Sequence, residues 1–95
     1  MKIAFDLAKS EKNARERGLP FELTQEFEWQ NAEAEDDTRF AYPERRVVAT
    51  GFFRGRLHVV CFTPIKDGAR IISFRRANKR EIRKYEEKKR KKAAH

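Results

Sequence analysis

Three runs of β-branched and aromatic residues, Arg45 to Phe53, Arg56 to Thr63 and Arg70 to Arg76, are separated only by Arg54-Gly55 and by Pro64 to Ala69. The second gap holds Asp67-Gly68, a strong turn pair. Parallel neighbours need a long crossover, so runs joined this closely predict a three-stranded antiparallel meander. Side chains alternate between the two faces of a strand. Val47, Ala49, Gly51 and Phe53 therefore share one face of the first run. In the second run Leu57, Val59, Cys61 and Thr63 alternate with Arg56, His58, Val60 and Phe62. A chain of 95 residues builds one core around such a sheet, not two.

The flanking segments predict short strands and helices. Lys2 to Phe5 reads as a strand leading into Asp6, an N-cap for a helix from Leu7 to about Arg17 that Gly18 stops. Leu7, Ala8 and Ala14 are that helix's apolar residues and predict a narrow buried stripe. Pro20, read as a first-turn residue, opens a second, short helix with Leu23 and Phe27 on one face. An edge strand is expected near Asn31 to Glu35, followed by a loop closed by Pro43. Asn78 with Glu81 three residues later predicts a capped helix from Lys79, pinned by Ile82 and Tyr85. Beyond Glu87 the five bases Lys88 to Lys92 repel one another, which predicts a disordered basic tail over 88–95. The expected fold is α+β over 1–87: an antiparallel sheet, meander plus short edge strands, with two N-terminal helices and one C-terminal helix.

Charge narrows the possible partners. Lys and Arg number 23 against 15 Asp and Glu, and this formal net charge of +8 favours a polyanion: RNA, DNA or an anionic membrane. The balance is bipolar, because Glu22 to Glu44 holds eight acids and one base while Arg75 to His95 holds eleven bases and three acids. The acidic middle suits either a basic partner or the protein's own basic end. No apolar run approaches the roughly 20 residues that span a bilayer. A single cysteine and no leader-like start fit the cytoplasm. Cys61, inside an apolar strand pattern, reads as a small buried hydrophobe.

Two distant histidines, one cysteine and no glycine-rich phosphate loop predict neither metal nor cofactor. Chemistry without them is still open on RNA, where a ribose 2′-hydroxyl attacks the adjacent phosphate while arginines neutralise the developing charge. Arg75, Arg76, Lys79 and Arg80 lie within six residues of one another at a strand-to-helix junction. Lys79 and Arg80 sit against the helix dipole, which points to a phosphate rather than to helix stability. Arg83 and Lys84 extend the RNA-binding candidates along the helix, and at most one of Arg75 and Arg76 shares a face with Ser73. Arg75, Arg76 and Arg56 are candidates for phosphate and transition-state charge; Tyr85, Glu81 and His58 are candidates for proton transfer. A non-catalytic module gripping nucleic acid by phosphates, and a pure protein-docking surface, are the rival readings.

The string from Phe5-Asp6 through Lys9, Asn13 and Gly18 to Phe21 resembles the start of the BrnT family of bacterial toxins. So do Arg45-Arg46 entering a strand to Gly51, Gly55-Arg56-Leu57-x-Val59-Val60-x-Phe62-Thr63, and Arg70-Ile71-Ile72-Ser73-Phe74-Arg75-Arg76-Ala77 followed by Glu81 and Tyr85. The chain departs from the family's usual Trp at Phe5, His at Arg17 and small residue at Phe74, and has a longer basic tail. The resemblance implies a RelE-like fold and an RNA-cleaving toxin of a type II toxin–antitoxin pair. It also implies an mRNA substrate, met in solution or on the ribosome, and a BrnA-like DNA-binding antitoxin through which operator DNA is reached indirectly. The residues it carries over are Arg56, Ser73, Arg75, Glu81 and Tyr85.

Overall fold

A computed structural model of the protein describes residues 1–94, leaving only His95 of the expected tail outside the described residues. The elements are β1 (Lys2–Phe5), α1 (Leu7–Arg17), 3₁₀ turns at Phe21–Glu26 and Trp29–Asn31, β2 (Glu33–Asp36), β3 (Val47–Phe53), β4 (Arg56–Ile65), β5 (Gly68–Arg76) and α2 (Lys79–Ala93). One five-stranded sheet runs in the order β1-β5-β4-β3-β2. The meander is present, with Gly51 opposite His58 and Val60 opposite Phe74. Its first turn has positive φ at both Arg54 (50°) and Gly55 (79°), the handedness that matches strand twist in a two-residue hairpin.

The sheet is mixed rather than antiparallel. β1 runs parallel to β5, Lys2 opposite Gly68 and Phe5 opposite Ile71. Strands that are distant in sequence need no tight turn between them, so turn spacing could not reveal the pairing. Gly68 permits it: a Cβ there would lie 1.9 Å from the Lys2 carbonyl oxygen. β4 continues through Pro64, which was expected to end it, because the β3 partners stop at Phe62 and no ladder bond is demanded of the missing N–H.

The N-terminal helices differ from expectation in what they bury. Asp6 caps α1 by accepting from Lys9 N at 3.0 Å, and Gly18 closes it at φ 70°. Leu7 and Ala8 are nevertheless exposed, whereas Ser10 and Asn13 are buried. Ser10 Oγ accepts from Phe21 N at 2.8 Å, and Asn13 Nδ2 donates to the Leu19 and Phe74 carbonyls at 2.6 and 2.8 Å. α1 is thus bound to the sheet by satisfying backbone groups that would otherwise be buried unpaired. The second helix is a 3₁₀ turn, and Pro20 is extended (ψ 146°) and precedes it as its cap rather than lying in its first turn. A period of three then buries Phe21, Thr24 and Phe27, and Leu23 is only partly covered.

A bulge in β5 determines which side chains reach which face. Cys61 pairs with Ser73 and Phe62 with Ile71, so Ile72 is the extra residue. Alternation reverses across it. Ala69 and Ile71 before it and Phe74 after it all point to the α1 face, where they pack with Phe21, Phe27, Ala49, Phe53 and Val60. Ser73 and Arg75 are left on the other face, beside α2.

α2 crosses that second face through Tyr85, whose ring meets Phe52 edge-on at 5.8 Å. Lys84 and Lys88 reach Glu35 at 2.7 and 3.4 Å, and Lys92 reaches Glu33 at 2.7 Å. Part of the acidic middle therefore complements the protein's own basic end. The block Lys88 to Lys92, expected to be disordered, lies within α2, which runs to Ala93. Among the described residues no helix is long and apolar enough to cross a membrane.

These contacts carry a pH dependence. The Lys92 and Lys84 ammonium groups hold the Glu33 and Glu35 carboxyls below the usual range, and Arg75 does so for Glu81. Each depressed carboxyl contributes stability that is present above its unfolded value and is lost as pH falls through the folded one. α2 is expected to loosen from the sheet below roughly pH 4, seen as faster amide exchange around Tyr85 while β3 to β5 stay protected. Uniform protection across this range would show that the three carboxylates do not hold the helix.

Candidate active site

The strand-to-helix junction is built around one ion pair. Arg75 Nη1 and Nη2 donate to the two Glu81 carboxylate oxygens at 2.8 and 2.7 Å, and Nη1 also reaches the Arg76 carbonyl at 3.2 Å. Glu81 is at the same time the third residue of the capping box: its Oε1 accepts from Asn78 N at 2.9 Å and its own N–H donates to Asn78 Oδ1 at 2.8 Å. One side chain thereby starts α2 and orients Arg75. Arg75 foremost, and the Asn78 N–H after it, keep Glu81 ionised, against the opposing effect of burial. Such a carboxylate is a poor proton acceptor and a good positioning group.

Tyr85, one turn along α2, is buried except for a 3.3 Å hydrogen bond from its hydroxyl to the Asn31 carbonyl. Burial, reinforced by the Glu33 and Glu28 charges, pushes its pKa up, so it remains a protonated donor. Ser73 stands opposite Cys61 on this face, both half-buried. The Cys61 thiol is pushed up by burial and stays protonated, although the charges of Arg46, Arg39 and Arg75 act on it in the other direction. The charges of those three guanidiniums, and of the Asp37 carboxylate, therefore bear on this part of the sheet.

Arg39 and Arg46 were not among the sequence candidates. Arg39 is fixed by Asp37 at 2.9 and 3.0 Å, and Asp37 is held at about 2 by that pairing. Arg46 lies 4.0 Å over the Tyr42 ring. The signal for Arg46 was its place in the strand entry Arg45-Arg46; Arg39 comes from a loop whose path no local pattern reveals. Arg39 also lowers the Arg75 pKa by repulsion, against the larger raising effect of Glu81. Cations whose charges act on one another favour an anion near them, a place that Asp37 fills at Arg39. Lys79, Arg80 and Arg83 are exposed on the first turns of α2 without acidic partners among the described residues, whereas Lys84 is bound to Glu35.

The remaining candidates lie across the sheet. Arg56 pairs with Phe53, and His58 with Arg76, all on the α1 face. His58 is 4% exposed, with its ring 5.1 Å from Phe53 and 5.5 Å from Phe74. The candidate set is thus divided: Ser73, Arg75, Glu81 and Tyr85 on one face, Arg56, His58 and Arg76 on the other. No single phosphate can touch both groups.

Comparison with protein families matches residues 5–81 to the family described as ribonuclease toxin, BrnT, of type II toxin-antitoxin system. The chain belongs to that family. No curated protein sequence matches it. As a BrnT toxin it belongs to a class that acts on RNA and is paired with a protein antitoxin. The matched segment includes Ser73, Arg75 and Glu81 and stops short of Tyr85.

Proposed function

We propose that the α2 face binds single-stranded RNA and cleaves it without a metal, the ribose 2′-hydroxyl attacking the adjacent phosphate. The observation that supports this most is that four of the five residues carried by the family resemblance, Ser73, Arg75, Glu81 and Tyr85, converge on one face with Arg39 and Arg46 nearby. Arg75, held by Glu81, meets the charge that develops on the phosphate oxygens, and Arg46 and Arg39 neutralise the neighbouring phosphates. Ser73 hydrogen-bonds the strand, and Tyr85 supplies a proton to the departing 5′-oxygen. The carboxylates on this face, Glu33, Glu35 and Glu81, are each engaged by a base, so the 2′-hydroxyl proton passes to water. Lys79, Arg80 and Arg83 extend the grip along the strand by counterion release.

In the cell such a toxin cuts mRNA, in solution or on the ribosome, and a BrnA-like DNA-binding antitoxin neutralises it and links it to operator DNA. The test is incubation of purified protein with end-labelled RNA, with and without chelator, repeated in a translating extract. Chelator-resistant cutting that leaves 2′,3′-cyclic phosphate and 5′-hydroxyl ends is expected. Retention of RNA with no cutting in either setting would overturn the enzymatic reading in favour of a phosphate-gripping module.

A further inference from the structure

On the α1 face a cleft of about 260 Å³ opens between the end of α1 and the ends of β4 and β5, walled by Arg17, Arg54, Arg56 and Arg76 with Phe53 and His58. Four guanidiniums share this hollow, and among the described residues only Arg54 has an acidic partner, Glu26 at 2.8 Å. By contrast Arg39 pairs with Asp37, Arg45 with Asp36, Arg70 with Glu44 and Arg75 with Glu81, while the unpaired Lys79, Arg80 and Arg83 stand on the open surface of α2 and share no hollow among the described residues. Arg54 is also steadied by the Phe53 ring, its guanidinium carbon 4.9 Å from the ring centroid. Like charges gathered around a hollow repel unless an anion enters it.

His58 contributes a neutral, buried lining to the cleft. Its Nδ1 lies 2.8 Å from the Arg56 carbonyl. A carbonyl only accepts, so Nδ1 carries the proton and Nε2 keeps its lone pair. Burial, with the Arg76 and Arg56 charges behind it, pushes the imidazole below its ordinary value, against the raising effect of the Arg56 carbonyl. The ring therefore adds no fifth positive charge at neutral pH.

We propose that this cleft is a second phosphate site, taking a backbone phosphate of the same RNA strand at a nucleotide away from the one that is cut. The strand's identity rests on the function proposed above; the anion chemistry stands without it. The link between the sites is the end of β5, where the consecutive residues Arg75 and Arg76 present a guanidinium to opposite faces. A strand passing over that end meets both.

The test follows the His58 imidazole by NMR through a pH titration, with inorganic phosphate, a short oligoribonucleotide and an oligoglutamate peptide as probes. Phosphate and oligoribonucleotide are expected to move its midpoint upward, because a bound anion offsets Arg76 and Arg56. In the Arg56→Gln/Arg76→Gln variant the midpoint should start higher and respond to neither probe. Both side chains are exposed, so the core is untouched. The salt slope of oligoribonucleotide binding should fall by about 1 for each arginine removed. No response to phosphate, or a response that survives in the variant, overturns the site; a response to oligoglutamate in place of RNA assigns the cleft to a protein and overturns the RNA proposal. The readouts need no cleavage, and repeating them on Arg75→Ala protein separates the outcomes. A His58 response there supports the cleft even where the α2 face fails to cut, and its absence counts against the cleft alone.

Discussion

Replacing Arg75 with alanine is expected to slow RNA cleavage about 100- to 1,000-fold, the usual consequence of removing a charge donor that acts in the transition state. Single-turnover rates on an oligoribonucleotide measure it, and loss of growth inhibition should follow. The size of the effect comes from preorganisation: Glu81 holds both guanidinium nitrogens at 2.7 to 2.8 Å before substrate arrives, so no reorientation is needed during reaction. Glu81→Gln should also slow cleavage, by less, because it loosens Arg75 without removing the charge. Glutamine at this position can still cap α2 by accepting from Asn78 N, so the urea midpoint of that variant should fall only by the part that the Arg75–Glu81 charge pairing contributes. Parental cleavage rates in Arg75→Ala would remove this residue, and with it the α2-face site, from the reaction.

Phe74→Ala is expected to destabilise the domain by about 3–5 kcal/mol, read as a lowered urea midpoint. Phe74 is fully buried, stacked edge-on against Phe53 at 5.1 Å and tilted against His58 at 5.5 Å. Phe53 and His58 are held in β3 and β4 and cannot move in to close the cavity without breaking ladder bonds. Small domains have only about 5–15 kcal/mol in total, so the variant should unfold under mild conditions. Leu7→Ala, at a residue 67% exposed, should change stability by no more than about 0.5 kcal/mol. A Phe74→Ala variant as stable as Leu7→Ala would show that this region repacks freely around a small side chain.

The contrast between these two positions shows where sequence reading succeeds. Alternation in β3 placed Val47, Ala49, Gly51 and Phe53 together on one face correctly, and the structure makes that face the buried one, because a regular strand repeats every two residues and nothing interrupts it there. The Asn78 to Glu81 box was legible for a related reason: a cap is made by residues three apart, and its chemistry is written locally. Leu7 was expected in the buried stripe and is exposed, whereas Asn13, which hydrophobicity does not mark, is inside. Hydrophobicity predicts burial only where no polar side chain is needed inside, and the Leu19 and Phe74 carbonyls that Asn13 satisfies come together only in the folded chain.

The amino-acid sequence by itself determined the meander, the capped C-terminal helix, the bipolar charge and the family, since each rests on neighbours in the chain or on a motif spread across it. Tertiary structure alone decided the parallel pairing of β1 with β5, the closing of Glu33 and Glu35 over the basic helix, and the separation of the arginines into two groups. The last of these depends on one extra residue. Ile72 bulges from β5, reverses the alternation after it, and sends Arg75 toward α2 and Arg76 toward α1. A bulge is a mismatch between two strands, so neither strand's sequence records it.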